Sequence, residues 1–384
     1  MRGDDVPQEV RRARAYLSRV AEAPAPALAL LVAQVGPVRA AELVRRGDVP
    51  DEVAAETAAR REVDRATADL ADAAAVGARV LVPEDPDWPQ EAFAALDNRG
   101  GSLAPPLALW VRGPGRLDAL SAGAVAVVGA RAATSYGTYV AEDLGTGLAT
   151  VGRAVISGAA VGIDAAAHRG ALAAAGPTVA VLACGIERAY PVANRELVER
   201  VAEVGLVITE YPPGAVPARH RFLVRNRLIA ALTAGTVVVE AGARSGAQRT
   251  AADALALGRI VMAVPGPVTS AMSEGCHRLI RDGAVLVTRA EEVVEAVGAL
   301  GRDLAPERPG PVPPTRSTDD LSTAAALVYD ALPLRAARDV RWLSLEAGVP
   351  PDVVRAALVE LDRRELVTGR DGRWCRRRSG RDAG

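Results

Sequence analysis

The stretch AVAVVGARAATSYG, residues 124–137, decides the fold. It opens on an unbroken apolar run, too short for a helix and cut off at Gly129. A Gly-Ala-Arg loop follows, and the spacing predicts a helix from about Tyr136. A run with no polar alternation belongs to a strand buried on both faces, as in a parallel sheet covered by helices. The pattern recurs downstream in RAVISG, TVAVLACG, LVITEY, TVVVEA, RIVMAVPG and AVLVT, each followed by a loop and a helical stretch. Strands alternating with helices in this way predict an α/β fold: an extended, Rossmann-like, doubly wound and mostly parallel sheet.

Other blocks flank this one. Residues 1–78 are rich in Ala, Arg and Glu at helical spacing and are expected to form an N-terminal helical domain. Within it, LALLVAQVGPVRAAELV (28–44) reads as helix, Gly36-Pro37 turn, helix. That turn fits a SAM-like or helix-hairpin-helix unit with phosphate-facing amides, but a plain bundle corner is the favoured reading. The sheet domain is expected over 79–298, with ARVLVPEDPDWPQ and PPLALWVRG as connecting lead-in. Residues 299–320 hold five prolines after Gly301 and read as a linker. Residues 321–378 carry three helical stretches and a hairpin, the order of a winged helix.

Composition narrows the function. All 46 basic residues are arginine, so Schiff-base lysine chemistry and a Walker A loop are excluded. The formal net charge of -1 means that any nucleic-acid site must be a local basic surface. Cys184, Cys276 and Cys375 are far apart and form no CxxC pair, which fits neither a zinc site nor a disulfide framework. No metal and no cofactor are expected. The charged start lacks a signal-peptide core and no apolar run spans a membrane, so a cytoplasmic protein is expected.

The candidate site residues stand where strands end, which is where this architecture binds ligands. Gly129 lets backbone approach a phosphate, and Arg131 offers a bidentate donor. In ISGAAVGIDAAAHRGAL, Ser157, Gly158 and Gly162 make a second amide-exposing turn. Asp164 and His168 there admit an acid/base pair, but helix capping by Asp164 beside a packed His168 is the favoured reading. LACGIERAYPVANRELV supplies Asn194 and Arg195 at a helix start, with Tyr190 either stacking on a base or packing a turn. HRFLVRNRLIAAL is read as a fourth loop, with Phe222, Arg225, Asn226 and Arg227 in it. From Arg219 to Arg259 there are seven arginines against two acids. Basic residues around an aromatic suit a single strand, and a solvated charged face is the alternative. Finally, Ser245-Gly246 is expected to cap a helix that faces the same edge.

In this order, VGxR, SGxAxGID with AH, YPxxN, RNRxIAxL, VEAxxxSG, AVPG and GCxxLIxxGA resemble the DNA-processing protein A (DprA, or Smf) family across residues 124–288. The helical start and winged-helix end resemble that family's plan. The resemblance implies a protein of bacterial transformation and recombination, not an enzyme, that binds and protects incoming single-stranded DNA. It further implies help in loading the recombinase RecA, and a homodimer. By motif, Gly129, Arg131, Ser157, Gly158, Gly162, Asp164, Arg225, Asn226 and Arg227 match strand-binding elements, and Arg195 is the candidate basic residue near YPxxN. The chain departs from the pattern at Ala130, Leu223, Gln248 and Arg249.

Two other readings are weighed. The sheet resembles nucleoside-monophosphate phosphoribohydrolases, with Glu240 at a strand end, but their PGGxGT loop is absent. A transcription regulator would use the winged helix, yet PDVVRAALVELDRREL balances acids and bases and suits a groove poorly. The C-terminal domain is read as an accessory, protein-contact module.

Overall fold

The computed structural model describes residues 6–97, 103–243, 245–298, 318, 320–334 and 336–377. Met1–Pro306 form one compact unit and Glu307–Gly384 a second.

The first unit begins with α1 (Gln8–Val20), α2 (Pro26–Val35), α3 (Pro37–Arg46), α4 (Asp51–Thr57) and α5 (Ala66–Ala75). The expected turn between α2 and α3 is present, with Gly36 at φ +79°. The chain then runs β1 (Ala78–Leu81), α6 (Gln90–Asp97), β2 (Leu109–Arg112), α7 (Leu117–Ser121), β3 (Val125–Val128), α8 (Ser135–Thr150) and β4 (Val155–Ser157). It continues through α9 (Ile163–Ala173), β5 (Thr178–Leu182), α10 (Arg195–Val204), β6 (Leu206–Thr209), α11 (Arg219–Ala231), β7 (Gly235–Val238) and α12 (Gly246–Ala256). The last elements of the unit are β8 (Ile260–Ala263), α13 (Glu274–Arg281), β9 (Val285–Leu286) and α14 (Ala290–Val297).

The sheet order is β1-β2-β6-β5-β4-β3-β7-β8-β9. Strands β3 to β9 are mutually parallel, while β2 pairs antiparallel with both β6 and β1. Every strand expected beyond residue 124 is there. The lead-in is more than a connection, because its two apolar runs extend the sheet by two antiparallel strands. Pairing satisfies backbone groups that a buried loop would leave unbonded.

Alternate residues of each strand feed two cores, as strand geometry requires. Ala126, Val128, Val181, Ile208 and Val238 pack under α11, α12 and α6. Val125, Val127, Val155, Val237 and Met262 pack under α8, α9 and α14. Further along that second face, Val80, Trp110, Ala180, Leu182 and Val207 pack with Tyr16, Leu17, Leu28 and Val44 of the N-terminal helices. Residue 78 is therefore not a break in packing: the helical segment shares its core with the sheet.

The second unit holds α15 (Thr323–Ala331), β10 (Arg338–Asp339), α16 (Val340–Ala347), α17 (Pro351–Arg363), β11 (Val367–Arg370) and β12 (Arg373–Arg376). Its core is Val328, Leu343, Val354, Leu358 and Leu361, and its antiparallel sheet runs β10-β12-β11. Three helices and a hairpin appear in the expected order, with the short strand β10 added. The stretch read as a linker, 299–320, lies outside the described residues except for positions 318 and 320.

Candidate nucleic-acid interface

From β3 the chain steps outward through β4, β5 and β6, then returns to the other side of β3 with β7. The loops after β3 and β7 therefore part company, leaving a crevice beyond the carboxyl ends of the strands. A cleft of about 830 Å³ lies there, lined by the 128–132 loop, Ala160, Asp164 and Tyr190. Its other walls come from Arg219, Phe222, Arg225, Asn226 and Ile229 of α11, and from Gly242, Ser245, Gly246, Arg249 and Thr250 around the start of α12.

One wall combines charge with flat rings. The exposed Arg131 guanidinium stands 5.0 Å from the centre of the Phe222 ring, and Phe222 meets Tyr190 at 5.6 Å between ring centres. A cation stacked on an aromatic face keeps its edges available for oxyanions while its plane is held. Arg219, also exposed, stands one helical turn before Phe222.

Beneath this surface lie buried groups that shape the loops. The Asp164 carboxylate accepts a hydrogen bond from the Gly158 N–H at 3.2 Å, and the Gly129 and Ala160 amides face it as well. Burial raises its pKa, and these amides together with the Arg225 charge oppose that rise. Asp164 thus ties the loops after β3 and β4 together, which is broader than the helix cap expected, since the N-cap position of α9 is Gly162. Buried Arg225 donates from Nη1 to Gly158 O at 2.9 Å and to Val181 O. Its pKa is pushed down by desolvation.

These contacts explain the glycines. A Cβ on Gly158 would fall 2.3 Å from the Arg225 guanidinium nitrogens, and one on Gly129 would fall 2.5 Å from Ile163 Cγ1. Gly162 adopts φ +86° and presses on the carbonyls of Ala130 and Arg131. The amide of Ala130 bonds Glu240 O. With the Ala130 amide engaged inside the protein and the Gly129 amide turned toward Asp164, Arg131 is what the β3 loop presents to the cleft.

Several expected residues stand elsewhere. Ser157 is buried and donates to Val127 O at 2.7 Å. Buried Asn194 holds Ala159 O at 3.0 Å, while Arg195 is exposed outside the cleft lining. The segment read as a fourth loop is helix α11, and its 100° step per residue sends neighbouring arginines to different faces. Arg227 therefore points away from the cleft, into a buried bidentate pair with Glu210 at 2.7 and 2.8 Å. Arg221 pairs with Glu22 at 2.7 Å. Arg225 and Asn226 do line the cleft, and Asn226 donates to Gly246 O at 3.4 Å. Ser245 occupies the N-cap position of α12, but its side chain makes no cap hydrogen bond, and its buried Oγ has no partner among the described residues. Arg244, counted in the basic segment, lies outside the described residues.

Two groups weighed for catalysis have structural duties. Thr178 Oγ1 donates to Val155 O, so it accepts from His168 Nδ1 at 2.7 Å, and burial lowers the His168 pKa to about 4. Glu240 accepts from Thr134 N at 2.9 Å and Thr134 Oγ1 at 2.6 Å, which fixes the turn into α8. Sequence reasoning missed Arg249 and Met272 on the cleft. Helical spacing of Arg219, Phe222, Leu223 and Asn226 was the signal that α11 presents one face to it.

The fold and the cleft define a Rossmann-like protein whose switch-point site is cationic and aromatic. A family model described as "DNA recombination-mediator protein A" matches residues 79–298, and the chain belongs to that family. It is 53% identical over 373 residues to the putative DNA processing protein DprA of Mycobacterium tuberculosis, covering 96% of this chain and 95% of the relative. Protein Smf of Escherichia coli is 40% identical over 217 residues, 56% of each chain. The X-ray structure of DNA processing protein A from Streptococcus pneumoniae is similar at TM-score 0.61 and 32% identity, over 75% of this chain and 97% of that one. Among the described residues no helix is long and apolar enough to cross a membrane.

Proposed function

We propose that this protein binds single-stranded DNA in the switch-point cleft, without sequence preference and without breaking a bond, in the service of bacterial transformation and recombination. The stack of Arg131, Phe222 and Tyr190 carries the reading, since it offers charge to a backbone and flat rings to bases on one wall. Membership of a family described as recombination mediators supports it. Protection of incoming strands, loading of RecA, a homodimer and a cytoplasmic location belong to the same proposal and rest on the family resemblance. The hydrolase alternative loses its main argument, because the Glu240 carboxylate is buried and bonded to Thr134. The C-terminal unit, read as a winged helix, serves as an accessory contact module.

The test is titration of a poly-dT oligonucleotide across a salt series. Strand binding through phosphates gives a log–log slope of about -0.7 for each phosphate neutralised. Arg131→Ala removes a charge-assisted bond of roughly 1.5–3 kcal/mol, so affinity falls at least about tenfold. Affinity indifferent both to salt and to this substitution refutes the proposal.

A further inference from the structure

We infer that Arg249 gives the cleft a second cationic wall and contacts a phosphate of the bound strand. This deepens the strand-binding reading and rests on it. Arg249 lies one turn into α12, on the stripe that carries Ser245, and it lines the cleft with its side chain 50% exposed. Asp253, four residues on and buried, accepts from its Nε at 2.9 Å. With the Asp253 carboxylate buried, this pair orients the half-exposed guanidinium.

The wall around Arg249 is built rather than loose. Gln248 Nε2 donates to Gly242 O at 2.8 Å, and Arg278 Nη2 to Ala243 O at 3.1 Å and to Gln248 Oε1. Gln248 thereby anchors the loop that leads to Arg249. Ser245 Oγ, buried without a partner among the described residues, belongs to the same wall. The same cleft is lined by Arg131 and by the apolar Ala130, Ala160, Ile229 and Met272. Of the described residues lining the cleft, four are arginine and only Asp164 is acidic. A free mononucleotide carries its charge at one end and engages one wall. A strand places successive phosphates apart, with bases between them, and fits charge on both walls.

The experiment compares the full chain, Arg249→Leu, Arg249→Gln and Arg131→Ala in poly-dT titrations over the same salt series, with circular dichroism to confirm folding. The expected result is an about tenfold weakening at low salt for both position-249 variants, the lower end for a charge-assisted contact. The salt slope should fall by about 0.7, the signature of one phosphate lost. If both position-249 variants keep wild-type affinity and slope while Arg131→Ala is impaired, the inference is overturned and the cleft reading stands. If Arg131→Ala is also unimpaired and salt has no effect, the cleft reading itself has failed and the inference falls with it. Gln serves should Leu not fold, since it keeps the polar head and removes only the charge.

Discussion

Arg227 separates structural duty from ligand contact most sharply. Its side chain is 1% exposed and that of its partner Glu210 is 8% exposed. Its guanidinium makes both bonds of a bidentate pair, and its Nε donates to Ala104 O at 2.9 Å, tying α11 to the segment before β2. Arg227→Met removes the cation and leaves the Glu210 carboxylate buried without it. Breaking one side of a buried pair costs about 3–5 kcal/mol, a large share of the roughly 5–15 kcal/mol that holds a domain together. Replacing both partners, Arg227→Met with Glu210→Leu, removes the stranded charge and should recover most of that loss. Urea unfolding followed by circular dichroism, on the two single variants and the double, completes a double-mutant cycle. The poly-dT salt slope of folded Arg227→Met should equal that of the unaltered protein, because no phosphate contact is lost. A variant of undiminished stability whose slope drops by about 0.7 refutes this reasoning and returns Arg227 to the cleft.

His168 should make the fold acid-sensitive. Its pKa falls from the usual 6.5 to about 4 on burial, so the unfolded chain binds the proton more readily. The stabilisation is fully present above pH 6.5 and is lost as pH falls toward 4, amounting to roughly 3 kcal/mol. His168→Gln should flatten that part of the stability profile in urea melts, and parallel profiles for the two proteins would count against it. Deleting residues 319–384 should leave poly-dT affinity largely intact, because the Arg131 and Arg249 walls belong to the first unit; loss of most affinity would make the C-terminal unit a principal binder.

Much of the site was legible because it depends on position along the strand order. Gly129 and Arg131 follow the first apolar run, and their place at the sheet edge follows from the fold. What each glycine is for was not legible. Gly158 is needed by the guanidinium of Arg225, 67 residues away in sequence, and Gly129 by Ile163 and Glu240. The arginine-rich segment was overread as one positive field. As helix α11 it divides its charges, giving Arg221 to Glu22 and Arg227 to Glu210 while Arg219 and Arg225 line the cleft.

The sequence by itself determined the parallel sheet and the loops at its carboxyl edge, because strand burial and turn chemistry are written in local runs of residues. Tertiary structure alone decided which arginines face the cleft and which are internal. That choice depends on which carboxylate each guanidinium meets, and on the 100° turn per residue that separates neighbours on a helix. It also decided that the N-terminal helices belong to the core of the sheet: Tyr16 and Leu17 cover a face that β1 and β2 widen, and no local pattern records that shared burial.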